Sequence, residues 1–302
     1  MPPYPRSLPV LPSRRSSVHP GGHLVKAIAW MGGALVSFTV MAVSVRELAS
    51  AMHAFEMLFI RSAIGVAILA VVFSATSWRA LKTKRIAGHV LRNTLHFTGQ
   101  VLWIFGIALL PLATVFAIEF TTPMWGAVLA VAFLGERMNR GRWLSLVLGF
   151  AGILVIVRPG LEGISTGAAI MLVCAVFFGA TSVTTKWLTR SDRPVAIIFY
   201  MVAIQTLLGA VASAFVWTPV ETGDWPWLIL LGITGLTAHY ALANALSVAD
   251  ASFVMPLDFL RVPLIAATGY LLYAESIEPA TLLGAVLIFS GTYYSLRHES
   301  RR

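Results

Sequence analysis

Two stretches of the chain share one pattern: residues 109–136 read LLPLATVFAIEFTTPMWGAVLAVAFLGE, and residues 248–275 read VADASFVMPLDFLRVPLIAATGYLLYAE. With a shift of 139 residues, Glu119 falls on Asp258, and the phenylalanine that follows each carboxylate is retained. Each stretch is a long apolar run that holds an acidic residue and ends on a glutamate. Charges are rare within transmembrane segments, so this pattern indicates a duplicated membrane-spanning unit.

The composition is that of a protein surrounded by lipid. Of the 302 residues, 58% are hydrophobic and only 12% are charged, whereas soluble domains carry about 25% charged residues. A soluble chain of this length could not keep so much apolar surface away from water. The composition therefore predicts a polytopic membrane protein and excludes most soluble enzymes and nucleic-acid-binding proteins. The single cysteine, Cys174, lies in an apolar run and is predicted to be a small buried side chain.

The apolar runs predict an all-α integral membrane protein with ten transmembrane helices. A helix needs about 20 predominantly apolar residues to cross the hydrocarbon core. Before the first run, residues 1–24 are rich in Pro, Ser and Arg and are predicted to form a disordered basic tail. The predicted spans cover residues 25–45, 55–75, 88–108, 112–134, 142–158, 166–187, 195–217, 226–246, 251–273 and 279–296.

The positive charges predict the orientation. With the N-terminus placed in the cytoplasm, seventeen of the 22 Lys and Arg residues fall in cytoplasmic segments and two on the opposite side. The other three, Arg61, Arg92 and Arg261, lie within spans. This bias follows the positive-inside rule and predicts an inner-membrane protein with both termini in the cytoplasm. The basic loops then face anionic lipid, so the net charge of +9 does not require nucleic acid.

The repeat is predicted to be inverted. Each half holds five predicted spans, and because five is odd, the second half enters the membrane upside down relative to the first. The two repeats are predicted over residues 25–158 and 159–297. Inverted repeats are typical of alternating-access transporters, whose substrate site lies near the midplane between the repeats. Further matches keep the same order: Thr98 falls on Thr237, Val115 on Val254, Glu136 on Glu275 and Gly152 on Gly291.

Each half closes with an apolar run, a Gly-Glu or Ala-Glu pair and a glycine-bearing last helix. In the first half these are Gly135-Glu136 with Gly149 and Gly152, and in the second Ala274-Glu275 with Gly284 and Gly291. In these features the chain resembles the drug/metabolite transporter superfamily, and within it the EamA-type transporters, over residues 25–296. The resemblance implies a ten-helix carrier of small organic metabolites rather than an enzyme.

The resemblance implies two substrate hypotheses. Related transporters carry amino acids, amino-acid-derived metallophores, riboflavin or S-adenosylmethionine, some inward and some outward. The main hypothesis is secondary transport of an amino acid or an amino-acid-derived compound, with export as one option. The alternative is uptake of a vitamin or nucleoside-type compound such as riboflavin or S-adenosylmethionine. Proton coupling and the choice between monomer and homodimer are left open.

Glu119 and Asp258 are the principal candidates for contact with the substrate or a coupling proton. Each lies eight residues past the last residue before its span, so at about 1.5 Å per residue each is about 12 Å deep, near the midplane. Arg261 follows Asp258 at i+3 and is a candidate to pair with it, whereas Glu119 has no partner near it in sequence. Arg92 is predicted to snorkel to the headgroups, and Arg61 to pair with another helix.

Further candidates are predicted to line the cavity or to bend its helices. His239 and Asn244 are second-rank polar contacts, and His96 is a deep imidazole able to titrate near neutral pH. The candidate cavity aromatics are Trp103, Trp30, Phe38, Phe116, Trp125, Phe178, Tyr240 and Phe259. Proline removes a backbone hydrogen bond, so three intramembrane prolines are predicted to kink spans 4 and 9. They are Pro123, Pro256 and Pro263.

A membrane enzyme and a channel are the rival interpretations. The sequence holds no His-Glu-x-x-His motif and no Cys/His cluster, so neither a metal nor a cofactor is expected. A channel lines a continuous pore with repeated polar rings, whereas the two deepest carboxylates here are predicted at one level. The expected partners are a small-molecule substrate and membrane lipid.

Overall fold

The chain folds into an all-helical bundle, seen in a computed structural model. The structure describes residues 20–74, 81–134, 140–158, 164–189, 191–248, 254 and 257–299, and within these ranges there is no β-strand. Most of the predicted tail, residues 1–19, lies outside them, and the first helix already begins at Pro20. The helices are α1 (Pro20–Leu48), α2 (Ala54–Ser74), α3 (Ile86–Leu109), α4 (Leu112–Glu119), α5 (Thr122–Leu134), α6 (Arg140–Val157), α7 (Thr166–Leu188), α8 (Pro194–Ser213), α9 (Trp225–Val248), α10 (Arg261–Tyr273) and α11 (Pro279–Glu299), with a 3-10 turn at Thr222–Asp224.

Six helical stretches are long and apolar enough to cross a membrane. They are Val25–Leu48, Ala54–Ser74, Leu112–Phe133, Thr166–Leu188, Val195–Ser213 and Thr222–Ala245. Two shorter apolar helices cover Trp143–Val157 and Pro279–Tyr294. A helix satisfies its own backbone hydrogen bonds, as a segment in lipid must. The chain is therefore an all-helical membrane protein, and the count of ten spans stays a prediction.

α3 is not one of those six because one of its faces is polar. The helix is 24 residues long, and Arg92, His96 and Gln100 recur in it at every fourth residue. Residues at this spacing share one face of a helix. All three side chains are buried in the bundle. The polar face of α3 therefore turns towards other helices.

The helices pack in pairs that join the two predicted halves. α1 lies along α9, α2 along α8, α3 along α7, and α6 along α11. The last pair meets at glycines of the repeated motif: a Cβ built on Gly152 would lie 2.7 Å from the carbonyl oxygen of Gly284. The reverse distance, from a Cβ on Gly284 to the carbonyl oxygen of Gly152, is 2.6 Å. Glycine at both positions lets the two backbones approach closely, as small residues do between membrane helices.

Two helix breaks directly follow the two candidate carboxylates. α4 ends at Glu119, and α5 begins at Thr122. In the second half, Asp258 is followed by a turn at residues 259–260, and α10 begins at Arg261. A helix break thus follows the carboxylate at both of the positions that the repeated pattern aligns.

The prolines do not have the predicted geometry. Pro123 and Pro263 lie in the first turn of α5 and of α10, rather than within a continuous helix. An N–H in a first turn has no helical acceptor, so a proline there removes no hydrogen bond and produces no kink. The prediction of kinks at these two prolines is therefore corrected to a helix break before each of them. Pro256 lies outside the described residues.

Candidate substrate-binding site

A cavity of about 610 Å³, here called the main cavity, lies between helices of both predicted halves. Small-molecule sites typically enclose about 300–1,000 Å³, so the main cavity has the size of a metabolite site. Much of its wall is apolar, and helices α1, α2, α3, α4, α7, α9 and α10 contribute to it. The charged side chains in its wall are Arg61, Arg92, Glu119, Lys186 and Arg261.

Arg261 joins the two candidate carboxylates. Its Nη2 donates to Asp258 Oδ1 at 2.5 Å and to Oδ2 at 2.6 Å. Its Nη1 donates to Glu119 Oε1 at 3.2 Å. Arg261 is only 4% exposed, and Asp258 is buried as well. One buried guanidinium therefore lies between two carboxylates, each of which ends a helical segment.

Glu119 is held by donors that are distant in sequence. Its Oε2 accepts a hydrogen bond from Trp103 Nε1 on α3 at 2.7 Å, while its Oε1 accepts from Arg261 on α10. No partner was visible near Glu119 in the sequence because both donors reach it only through tertiary packing. Each carboxylate oxygen has a donor, so Glu119 on α4 links that helix to α3 and to α10.

Aromatic rings surround the guanidinium of Arg261. The ring centroid of Phe38 lies 3.9 Å from Arg261 Cζ, and that of Phe120 lies 5.4 Å away. At such distances a cation is attracted to the face of an aromatic ring. Of the predicted cavity aromatics, Trp30 and Tyr240 pack edge to face against each other, with ring centroids 5.8 Å apart. Those that line the main cavity are Phe38, Trp103 and Phe178.

A second, smaller cavity of about 240 Å³ shares part of its wall with the main cavity. Glu119 and Arg261 line both spaces, and Asp258, Pro123 and Phe259 line the smaller one. The Glu119–Arg261 pair therefore lies where the two cavities meet.

Two histidines from different halves meet in the wall of the main cavity. The rings of His96 and His239 form an edge-to-face pair with centroids 5.9 Å apart. His96 Nδ1 lies 3.0 Å from Gln205 Nε2 and 3.4 Å from Arg92 Nη1. An arginine can only donate, so Nδ1 accepts, and the neutral imidazole of His96 carries its proton on Nε2.

Two arginines that the sequence placed inside spans lie in the wall of the main cavity. Arg92 is 8% exposed and donates to Thr185 Oγ1 at 3.2 Å and to Asn93 Oδ1 at 2.7 Å. The prediction that Arg92 snorkels to the headgroups is therefore wrong, because its polar partners lie within the bundle. Arg61 is 6% exposed, and the predicted ion pair with another helix is not found among the described residues.

The remaining polar residues differ in whether they line a cavity. Asn244 does not line either cavity, and its Nδ2 donates to the carbonyl oxygen of Tyr240 one turn earlier, at 2.7 Å. On α7, by contrast, Thr181 and Thr185 line the main cavity without having been singled out from the sequence. Their four-residue spacing, continued by Thr189, is the signal that could have found them.

The donor groups of the site suit an organic ligand. Among the described residues, no group of three or more His, Cys, Asp and Glu side chains is arranged to hold a metal ion. The cavity instead combines aromatic rings with guanidinium, carboxylate, imidazole and hydroxyl groups. Such a wall can stack on a ring system and form hydrogen bonds with polar substituents.

Comparison with known proteins identifies the family. The family model described as the EamA-like transporter family matches the chain twice, over residues 25–158 and 165–297. The chain belongs to the EamA-like transporter family. The resemblance seen in the sequence is thereby confirmed, and this EamA-like transporter is a multi-pass membrane protein.

Three relatives have named substrates. The EamA-like transporter is 27% identical to the S-adenosylmethionine uptake transporter of Rickettsia bellii, over 91% of this chain and 94% of the relative. It is 34% identical to the riboflavin transporter of Rhizobium johnstonii, over 74% of each chain. It is 28% identical to the pseudopaline exporter of Pseudomonas aeruginosa, over 83% of this chain and 89% of the relative.

A solved crystal structure has the same fold. It matches this EamA-like transporter with a TM-score of 0.60 at 16% identity, over 92% of this chain and 98% of its own. At this identity the likeness concerns the fold alone.

Proposed function

We propose that this EamA-like transporter takes up a small organic compound with an aromatic ring system, of riboflavin or nucleoside type, through the main cavity. The observation that carries the proposal is a cavity of about 610 Å³ that sets Phe38, Trp103 and Phe178 beside charged and polar side chains. Flat ring systems stack well on such aromatic side chains. The relatives support this class, because one is an S-adenosylmethionine uptake transporter and another is a riboflavin transporter.

Export of an amino-acid-derived compound is the second candidate. It is the main hypothesis from the sequence, and the likeness to a pseudopaline exporter favours it. The aromatic wall of the main cavity favours a substrate with a ring system, which riboflavin and nucleoside-type compounds always have and amino-acid-derived compounds have only in part. We therefore prefer the alternative hypothesis from the sequence over the main one.

The proposed architecture is ten spans in two inverted five-helix repeats. Helix pairing supports it. By their residue ranges, α1, α3, α7 and α9 are predicted spans 1, 3, 6 and 8. Exchanging the two repeats replaces span 1 by span 6 and span 8 by span 3, so the α1–α9 pair becomes the α3–α7 pair. The α2–α8 and α6–α11 pairs are unchanged by the exchange. The breaks after Glu119 and Asp258 also correspond. Discontinuous helices at the repeat interface are common in transporters that work by alternating access.

The conformation in hand is proposed to face the cytoplasm. On the side predicted to be external, Arg46 Nη2 donates to Glu275 Oε1 at 2.7 Å and to the carbonyl oxygen of Leu110 at 2.7 Å. This ion pair ties the first predicted half to the second. The main cavity extends to Lys186, at the end of α7 that is predicted to be cytoplasmic. Alternating access then requires the Arg46–Glu275 pair to open.

Protonation of Glu119 is the proposed coupling step. A neutral Glu119 would attract Arg261 less strongly, while Asp258 would still hold that guanidinium. In the wall shared by the two cavities, the contact of Arg261 with Glu119 would weaken, whereas its contact with Asp258 would remain. Proton binding could in this way be linked to the change between conformations.

Counterflow in proteoliposomes tests the proposed function. Vesicles that hold the purified protein would be loaded with unlabelled riboflavin or S-adenosylmethionine, and entry of the labelled compound would be followed. We expect the internal compound to accelerate entry of its labelled form, with no such effect in protein-free vesicles. If neither compound does so and amino-acid-derived compounds do, the second candidate replaces the first. Chemical conversion of the compound would indicate an enzyme.

A further inference from the structure

Arg61 and Arg92 are buried cations for which the described part of the chain supplies no carboxylate partner. They are 6% and 8% exposed, and both line the main cavity. Neither forms an ion pair with an acidic side chain among the residues that the structure describes. A buried charge is strongly destabilising unless it is paired and hydrogen-bonded. Intramembrane cations that lack a partner therefore point to a group supplied from outside the chain.

Arg61 is held in place by the backbone of α9. A Cβ built on Gly235 would lie 2.2 Å from Arg61 Nε, so the missing side chain of this glycine makes room for the guanidinium. The Nε of Arg61 is buried and has no hydrogen-bond partner among the residues with a described position. Packing thus fixes Arg61 in position and leaves its Nε–H without an acceptor among the described residues.

Within the described ranges, Arg92 is oriented by neutral groups alone. Its hydrogen bonds go to Thr185 Oγ1, Asn93 Oδ1 and His96 Nδ1, at 3.2, 2.7 and 3.4 Å. These partners position the guanidinium but leave its charge uncompensated. An arginine presents five donors in a planar fork, so it can still bind a further oxyanion.

The two guanidiniums flank the histidine pair. Gly235, which packs on Arg61, lies one helical turn before His239 on α9. The His239 ring contacts that of His96, and His96 contacts Arg92. Helices α2, α3 and α9 therefore bring Arg61 and Arg92 to one region of the cavity wall. Arg261 belongs to a separate group, because Glu119 and Asp258 already occupy it.

We infer that Arg61 and Arg92 form an anion-binding subsite, which receives a carboxylate or phosphate group of the transported compound. The inference rests on the proposed function and narrows it to substrates with both a ring system and an anionic group. The ring would stack near Trp103, Phe38 and Phe178, and the oxyanion would accept charge-assisted hydrogen bonds from the two guanidiniums. Binding would then supply the missing counter-charge.

Matched pairs of compounds test this subsite in the counterflow assay. S-adenosylmethionine would be compared with its decarboxylated form, which lacks only the carboxylate, and riboflavin with its 5′-phosphate. The wild type should prefer the anionic member of at least one pair by about 10- to 100-fold, as expected for hydrogen bonds to a charged group. The pair that shows the preference distinguishes a carboxylate from a phosphate.

Three variants assign the preference to the two arginines. Arg61→Gln and Arg92→Gln should each reduce it to about threefold or less, because each removes a charge-assisted hydrogen bond. Arg158→Gln is the matched control, since Arg158 is 58% exposed and lies in neither cavity wall. Equal transport of both members of each pair by the wild type would overturn the inference. An undiminished preference in both Arg61→Gln and Arg92→Gln would do so as well.

A second measurement keeps the subsite testable if none of these compounds is carried. The melting temperature of the purified protein would be measured with indole-3-acetate and with its neutral analogue indole-3-acetamide. Stabilisation by the acetate alone, lost in Arg61→Gln and Arg92→Gln, would support the subsite even though the proposed substrate class had failed. Equal effects of the two compounds on the wild type would refute the subsite.

Discussion

Glu119 and Asp258, which occupy equivalent positions in the two predicted repeats, bind the same guanidinium, that of Arg261. Each carboxylate also ends a helical segment inside the bundle. The three side chains thus connect both helix breaks to the wall of the main cavity. In an alternating-access transporter, a connection at this place can relate the substrate site to the conformation of both halves.

The first prediction concerns Arg261. Arg261→Gln leaves the buried Asp258 and the partly buried Glu119 without their cation, and breaking a buried ion pair costs about 3–5 kcal/mol. We expect a clear fall in melting temperature in detergent and loss of counterflow. Arg158→Gln is the matched control, because its pair with Glu278 at 3.6 Å is more than half exposed and should contribute about 1 kcal/mol or less. Equal melting temperatures for the two variants would contradict this assignment.

The second prediction concerns proton coupling. Glu119→Gln retains an oxygen that can accept from Trp103 but cannot change its charge. We expect a folded protein whose transport rate no longer varies with pH, because the proposed coupling group is removed. Trp103→Phe removes the hydrogen bond and keeps the carboxylate, so its transport should remain pH-dependent. An unaltered pH profile in Glu119→Gln would assign coupling to another group.

The third prediction concerns the α6–α11 contact. A Cβ on Gly152 would lie 2.7 Å from a backbone oxygen of α11, so Gly152→Ala forces the helices apart. Overpacking of this kind costs about 1–3 kcal/mol and should lower the melting temperature by several degrees. Gly223→Ala is the control, since a Cβ there meets nothing within 4 Å. A melting temperature of Gly152→Ala equal to that of the control would show that the pair is less tightly packed.

The fourth prediction concerns a carboxylate in the loop between α7 and α8. Asp192 Oδ2 lies 2.5 Å from Thr83 Oγ1 and 2.6 Å from His89 Nε2. Burial raises the pKa of Asp192, but the hydrogen bonds with Thr83 and His89 outweigh this effect, so the pKa lies below its usual value of 3.8. Because the folded pKa is the lower one, these contacts stabilise the protein above about pH 4. Their contribution is lost as the pH falls through the folded pKa.

The melting temperature measured across pH checks this sign. On acidification from about pH 6 to pH 3, the wild type should lose more stability than Asp192→Asn, which has no proton to gain at this site. Glu221→Gln, a change at an exposed carboxylate directly before the 3-10 turn, serves as the control. Parallel curves for the wild type and Asp192→Asn would mean that Asp192 does not contribute to the acid response.

Local patterns in the sequence predicted much of the fold. Apolar runs of sufficient length identified the helices. The i, i+3 spacing of Asp258 and Arg261 suggested that these two side chains pair, and in the structure they do. The shifted match between Glu119 and Asp258 identified two residues that share a partner. Such features depend on spacing along one helix or on the repeat, both of which are visible in a linear sequence.

Other features of the site depend on which helices meet, and spacing does not specify that. The hydrogen bond from Trp103 to Glu119 joins α3 to α4, and Arg92 stays inside the bundle because Thr185 on α7 faces it. The helix breaks were interpreted as kinks because proline is compatible with both. Pro123 lies in a first turn because α5 begins at Thr122. The same proline would produce a kink if the helix began earlier, and the sequence does not show where the helix begins.

Counterflow by a variant whose main cavity is filled tests most directly whether the substrate passes through that cavity. Ser182 on α7 lines both cavities and is exposed to them, so Ser182→Trp can fill the space without repacking the core. Ser290→Trp, on the exposed side of α11 and in neither cavity wall, introduces the same ring elsewhere. With equal amounts of folded protein in proteoliposomes, we expect Ser182→Trp to abolish counterflow of the carried compound and Ser290→Trp to leave it unchanged. Wild-type counterflow in Ser182→Trp would contradict transport through this cavity.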